Sequence, residues 1–137
     1  MRWIRLAVPT LIVASAVVAA ACSSDNGTGP NQPVPGSGTY AIISLTQSGT
    51  SVDTPFVSGD FTLSNPNKYK VRILLTVPTP DSIVDSGTYA FATPNKVTLN
   101  SATAGVALAG TYTYNSTSGA LSVVIPAENL TLNAQKQ

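Results

Sequence analysis

The segment from Lys68 to Val77 alternates between apolar and polar side chains, and this alternation limits the fold more than any other feature of the chain. Its apolar positions are Tyr69, Val71, Ile73, Leu75 and Val77. Successive side chains of a β-strand point to opposite faces, so the pattern predicts a half-buried strand. Seven further runs share this character, at 39–46, 57–64, 82–92, 96–101, 106–114, 120–125 and 129–134.

Prolines separate these runs from one another. After residue 39 they stand at Pro55, Pro66, Pro78, Pro80, Pro94 and Pro126, each between two runs. Proline lacks the backbone N–H that an interior strand position donates, so it belongs in the turns. The runs and their short connections predict an all-β, antiparallel domain in which each strand pairs with its neighbours in sequence.

A glycine two residues before an aromatic residue recurs at four places. The pairs are Gly38/Tyr40, Gly59/Phe61, Gly87/Tyr89 and Gly110/Tyr112. Residues two apart in a strand share a face, and glycine kinks covered by an aromatic ring let a sheet curl until it closes. The pattern favours a small up-and-down barrel of about eight strands, and a two-sheet β-sandwich is the alternative.

The same segments resemble a known group of domains. They are Gly38-Thr-Tyr-Ala-Ile-Ile, Ser58-Gly-Asp-Phe-Thr-Leu, Asp85-Ser-Gly-Thr-Tyr and Gly110-Thr-Tyr-Thr-Tyr. In order and spacing this set resembles the lipocalin-like (calycin-type) domains of bacteria. The resemblance implies a barrel over residues 39–137 that binds or carries a small hydrophobic molecule.

The N-terminus has the composition of an export signal. A basic stretch ends at Arg5, an apolar stretch follows over residues 6–20, and small residues lead up to Cys22, the single cysteine of the chain. The apolar stretch is shorter than the roughly 20 residues that cross a membrane, which suits a signal peptide. An ordinary secretory signal cut near Ala21 is one interpretation.

The second interpretation rests on Val18-Ala19-Ala20-Ala21-Cys22, which resembles the lipobox of bacterial lipoproteins. It implies a signal peptide over residues 1–21, acylation of Cys22 with palmitate-type chains, and export to the cell envelope. Membrane contact would be made through those chains. Because Ser23 rather than Asp follows the cysteine, the resemblance implies sorting to the outer membrane.

Residues 22–38 separate the acylated cysteine from the domain. They are rich in Gly, Pro and Ser and hold no aromatic residue, so a flexible linker is expected.

The composition argues against several functions. Charged residues make up 9% of the chain, seven basic and six acidic, which is too few for nucleic-acid binding. There is no histidine, the usual general base and metal ligand. We find no nucleophile–base pair, so we expect no enzymatic activity, no metal site and no cofactor.

The candidate ligand-binding residues are the inward-facing aromatics and one acid: Tyr40, Phe61, Tyr69, Asp85, Tyr89, Phe91, Tyr112 and Tyr114. Asp85 shares a face with Ile83 and Tyr89, so it could orient a ligand at the barrel mouth. The commoner case is a solvated acid near the start of a strand, because charged groups are rarely buried without a partner.

Two functions remain open at this stage. The first is a lipid-anchored envelope lipoprotein that binds or carries a small hydrophobic molecule inside its barrel. The second is a non-catalytic structural or interaction lipoprotein with a filled barrel or sandwich, which contacts another envelope protein. An eight-stranded barrel can be filled by its own side chains or hold one small ligand, so the interior volume distinguishes the two.

Overall fold

A computed structural model describes residues 32–137, and all of its regular structure except one turn is β-strand. The strands are β1 (Gly38–Gln47), β2 (Thr50–Asp53), β3 (Val57–Ser64), β4 (Lys68–Leu75), β5 (Asp81–Ala92), β6 (Lys96–Ser101), β7 (Val106–Tyr114), β8 (Ala120–Ile125) and β9 (Leu130–Lys136). A 3-10 turn, Pro126–Glu128, joins β8 to β9. Among the described residues, no helix has the length and apolar character needed to cross a membrane.

The strands form a closed barrel. Each strand from β3 to β8 pairs antiparallel with the next, and β1 pairs with both β3 and β9, so eight strands complete the circle. The short strand β2 folds back on the second half of β1. The predicted all-β, up-and-down barrel is therefore confirmed, and the sandwich alternative is wrong.

The alternating pattern places the core inside this barrel. Buried apolar side chains come from every barrel strand except β5, whose Ile83, Tyr89 and Phe91 are partly buried against the core. The largest that are almost completely enclosed are Tyr40, Tyr112, Phe61, Leu63, Ile125, Val57 and Val97. The prediction that Val77 faces the interior is wrong, because this residue lies beyond the end of β4 and is 37% exposed. The remaining predicted strands agree with the observed bounds to within two residues.

Three of the predicted glycine kinks lie where neighbouring backbones approach closely. Gly59 in β3 has a φ of +133°, and a Cβ there would lie 1.9 Å from the carbonyl oxygen of Arg72. A Cβ on Gly87 in β5 would lie 1.8 Å from the carbonyl oxygen of Asn100, and one on Gly110 in β7 would lie 2.1 Å from that of Val124. No L side chain fits at these distances, so the three glycines permit the tight curvature that closes the sheet.

The predicted signal peptide, Cys22 and the larger part of the predicted linker fall in residues 1–31, outside the described part of the chain. Residues 32–37, the last part of that linker, have no strand or helix. They nonetheless make specific contacts with one end of the barrel, which are described below.

Candidate functional site

A small hollow lies inside the barrel. Its volume is about 60 Å³, and apolar side chains form nearly all of its wall. The lining residues are Gln47, Phe61, Tyr69, Val71, Ile73, Ile83, Asp85, Leu99, Leu108, Val123, Ile125, Leu130 and Leu132. Liquid water occupies about 30 Å³ per molecule, so the hollow has room for roughly two waters. The barrel is therefore filled mainly by its own side chains.

The structure divides the predicted ligand-binding residues into two groups. Phe61, Tyr69 and Asp85 line the hollow. The other five, Tyr40, Tyr89, Phe91, Tyr112 and Tyr114, lie toward one end of the barrel, where β1 begins and β5 and β7 end. Their rings pack in pairs, with centroid distances of 6.3 Å for Tyr40–Tyr114, 5.2 Å for Tyr89–Phe91 and 4.7 Å for Phe91–Tyr112. These five rings pack against one another, and none of them lines the hollow.

Residues 32–36 cross this aromatic end of the barrel, and we call them the strap. The backbone N–H of Gln32 donates to the carbonyl of Pro94 in the β5–β6 turn at 2.9 Å. The Tyr40 hydroxyl donates to the carbonyl of Gly36 at 2.6 Å. Pro35 is buried between these two attachments. The strap thus covers the end of the barrel at which the chain enters it.

Gln32 is the main point of attachment between the strap and β7. Its carbonyl accepts a hydrogen bond from the Tyr112 hydroxyl at 3.3 Å. Its side-chain oxygen accepts one from the backbone N–H of Tyr114 at 3.4 Å. Both donors lie at the end of β7, which extends beyond the first residue of β6. The backbone N–H of Tyr114 therefore has no acceptor on β6, and Gln32 supplies one.

Burial raises the pKa of the Tyr40, Tyr69 and Tyr112 phenols, with Tyr114 adding to the shift at Tyr40 and Asp85 adding to it at Tyr69. A phenol whose pKa is higher in the folded state contributes stability below its unfolded pKa of about 10, and this contribution is lost as the pH rises further.

We therefore expect the urea concentration at the midpoint of unfolding to fall above about pH 10, and to fall less in the Tyr112→Phe variant. Urea titrations at a series of alkaline pH values measure this, and equal pH dependence in both proteins would contradict it.

Asp85 is buried inside the barrel, with 4% of its surface exposed. The Tyr69 hydroxyl donates to one carboxylate oxygen at 2.7 Å, and the Ser101 hydroxyl donates to the other at 2.6 Å. The second oxygen also accepts the backbone N–H of Ser86 at 2.8 Å. The expectation of a solvated strand-start acid is wrong, because three donors replace the water that burial removes.

The same cluster organises the turn between β6 and β7. The Ser101 hydroxyl oxygen accepts the backbone N–H of Ala104 at 2.9 Å while it donates to Asp85. The Asp85 carboxylate therefore holds together β4, β5 and this turn. Both of its oxygens are engaged by donors of the chain itself, so the arrangement is that of a structural polar cluster.

A much larger space lies on the outside of the barrel. This open groove has a volume of about 650 Å³. It is lined by Gln32, Pro33, Ile43, Ser44, Thr113, Tyr114, Asn115, Ser116, Ala120, Leu121, Ser122, Asn133 and Ala134. The strap and the β7–β8 turn border it, and none of the described residues that line it is charged.

Four polar residues cross the floor of the groove in register. Ser44 on β1 pairs with Asn133 on β9, Asn133 pairs with Ser122 on β8, and Ser122 pairs with Thr113 on β7. Thr113, Ser122 and Asn133 each lie between two inward-facing neighbours. Ser44 follows the irregularity of β1, between the exposed Ile43 and the buried Leu45, and its side chain also lines the groove, so all four side chains are on the outer face. The Asn133 amide donates to the Ser44 hydroxyl at 2.8 Å. We call these four residues the polar row.

Sequence reasoning missed both the strap and the groove. The polar row could be read as outward-facing from the alternation, but its alignment depends on the register of four strands. That register includes an irregularity between Ile42 and Ser44 on β1, which no periodic pattern indicates. Within residues 32–137, no three His, Cys, Asp or Glu side chains are close enough to hold a metal ion together.

Comparison with known proteins assigns no family to this chain. No protein-family model matches it, and no curated protein is detectably similar to it in sequence. The similarity to lipocalin-like domains therefore rests on the closed eight-stranded barrel and on the glycine–aromatic segments. A barrel of this kind is compatible with ligand binding, but fold alone does not assign a function.

Proposed function

We propose that the chain is an exported, lipid-anchored envelope protein that acts by non-catalytic binding, and that it binds at the outer groove rather than inside the barrel. One comparison carries this proposal: the hollow inside measures about 60 Å³, whereas the groove outside measures about 650 Å³. Small-molecule sites usually measure about 300–1,000 Å³. The groove is within this range and the hollow is far below it.

The arrangement of the strap supports an anchored binding surface. Gln32 and Pro33 line the groove and are also the first described residues of the chain. A lipid anchor at Cys22 would therefore hold the strapped end of the barrel, and with it the groove, toward the membrane. The occupant of the groove would be a molecule of the envelope that is found close to the lipid surface.

The anchor is tested by labelling cells with radioactive palmitate. We expect Cys22→Ala to lose the label completely, because Cys22 supplies the only thiol of the chain. Ser23→Ala is the matched control and should be labelled like the unchanged protein. Label that persists in Cys22→Ala would contradict lipidation at this residue, and the protein would then be a secreted domain.

Carriage of a small apolar molecule inside the barrel is the second candidate. The almost wholly apolar wall of the hollow and the carboxylate of Asp85 favour it. Its volume opposes it, because a carried hydrophobic molecule would have to displace core side chains that pack at crystal-like density. Tyr69 and Ser101 also occupy the Asp85 oxygens that would orient such a molecule.

Native mass spectrometry of the protein purified from bacterial envelopes distinguishes the two candidates. We expect the mass of the acylated polypeptide with nothing held in the barrel. An additional mass that disappears on denaturation, and that survives substitution of the groove residue Asn133 by alanine, would instead establish carriage inside the barrel.

A further inference from the structure

We infer that the outer groove binds a neutral, hydroxyl-rich oligosaccharide. This inference rests on the proposed function, since it names the class of ligand that the groove would take. It is carried by three features of the described residues: the chemistry of the lining side chains, the spacing of the polar row, and the full pairing of the strands beneath it.

The lining side chains fit a neutral ligand with many hydroxyl groups. The side chains of Ser44, Thr113 and Ser122 end in hydroxyls, and those of Gln32 and Asn133 end in amides. Hydroxyls and amides both donate and accept hydrogen bonds, as the hydroxyls and acetamido groups of sugars also do. Because no described lining residue carries a charge, a polyanion or a polycation would lose hydration without gaining an ion pair.

The polar row suits an elongated ligand. Adjacent strands of a sheet lie about 4.8 Å apart, so four residues on four strands extend over about 14 Å. Hydrogen-bonding groups at regular intervals along such a line match a chain of repeating sugar units better than a single compact molecule. The exposed side chain of Ile43 and the half-buried ring of Tyr114 add apolar surface, on which the C–H faces of sugars can pack.

The pairing of the strands argues against an extended peptide as the occupant. A peptide that binds a sheet usually adds a strand at an unpaired edge. Beneath the polar row, β7 pairs with β8, β8 with β9, and β9 with β1, so the row itself has no free edge. A ligand on this face must be recognised through side chains alone, which a glycan can satisfy.

Chitotetraose and cellotetraose are the probes for this inference, because both are neutral and only the first carries acetamido groups. Each is titrated at millimolar concentrations into the full-length protein in detergent micelles, with backbone amide signals recorded by NMR. We expect at least one of them to shift the signals of Ser44, Thr113, Ser122 and Asn133 in a saturable way. Shifts confined to other faces of the barrel, or none at all, would overturn the inference.

Substitution of Asn133 tests the assignment to the polar row. Asn133→Ala should weaken binding about tenfold, because it removes an amide that holds Ser44 and faces the groove. Asn100→Ala is the matched control, since Asn100 makes a similar cross-strand bond to Thr88 at 3.3 Å but lies outside the groove. If Asn133→Ala disturbs the fold, Thr113→Val replaces it, because Thr113 is already exposed. Equal affinity in the groove variant and the control would overturn the inference.

A photo-crosslinker separates failure of this inference from failure of the proposed function. It is placed at Thr113 in cells, and at Asn100 as the control. If neither sugar binds but Thr113 alone crosslinks to an identified envelope protein, the glycan inference is wrong and the groove remains the binding surface. If neither sugar binds and neither position crosslinks, both proposals are wrong.

Discussion

Gly87→Ala should destabilise the barrel by about 3–5 kcal/mol, the upper range for a single substitution. The added Cβ would lie 1.8 Å from the carbonyl oxygen of Asn100, 2.9 Å from its carbonyl carbon and 3.1 Å from the backbone nitrogen of Ala102. All three neighbours are backbone atoms, so no side-chain rotation can relieve the overlap. The β5–β6 pair must separate, and with it the attachment of the β6–β7 turn.

Urea unfolding followed by circular dichroism measures this effect. Gly36→Ala is the matched control, because a Cβ there would meet only the flexible end of Lys136 at 3.4 Å. We expect that control to change the free energy of unfolding by no more than about 0.5 kcal/mol. Similar midpoints for Gly87→Ala and Gly36→Ala would show that the barrel closes without the close approach at Gly87.

The strands of the barrel could be predicted because their pattern is local. Alternation within each run identifies the inward face, and prolines mark the turns, so all eight barrel strands were predicted with nearly their observed bounds. Strand β2 was missed because Thr50–Asp53 contains one apolar residue, Val52, which is partly buried, and its other three residues are exposed. Its strand conformation depends on pairing with β1 and not on burial of its own side chains.

Closure of the sheet could be predicted only in part. The four glycine–aromatic pairs favour strong curvature, and three of their glycines, Gly59, Gly87 and Gly110, are sites of close backbone approach. Nothing in the sequence gives the β1–β9 pairing, however, which joins residues about ninety positions apart. Long-range pairings of this kind depend on the fit of the whole barrel.

The candidate site was the least predictable part. Alternation correctly placed Asp85 on the inner face, but the general rarity of buried acids favoured exposure. Its two side-chain donors, Tyr69 and Ser101, are each sixteen residues away in sequence, so their convergence follows from strand register. The composition of the strap predicts the end of a flexible linker, because three of its four hydrogen bonds to the barrel use backbone groups, which almost every residue possesses.

Asp85→Ala should destabilise the protein by about 3–4 kcal/mol, because it leaves buried donors without an acceptor. The Tyr69 and Ser101 hydroxyls lose their shared carboxylate, and the Ser86 N–H loses its side-chain acceptor. The β6–β7 turn, which Ser101 also holds, should exchange its amide hydrogens faster. Asp60→Ala is the matched control, since Asp60 is exposed on the outer face of β3, and it should change stability by no more than about 0.5 kcal/mol.

A double-mutant cycle shows whether this loss arises from the cluster itself. Tyr69→Phe alone should cost about 1 kcal/mol, because Asp85 keeps its other donors. In the double variant no Tyr69 hydroxyl remains to be left without an acceptor. Its loss of stability should therefore be about 1–2 kcal/mol smaller than the sum of the losses in the two single variants. Additive losses would mean that the Tyr69 hydroxyl and the Asp85 carboxylate are not coupled. Equal stability of Asp85→Ala and Asp60→Ala would mean that the carboxylate does not support the fold. Asp85 would then be free to contact a ligand in the hollow, and carriage inside the barrel would replace the groove as the better account of function.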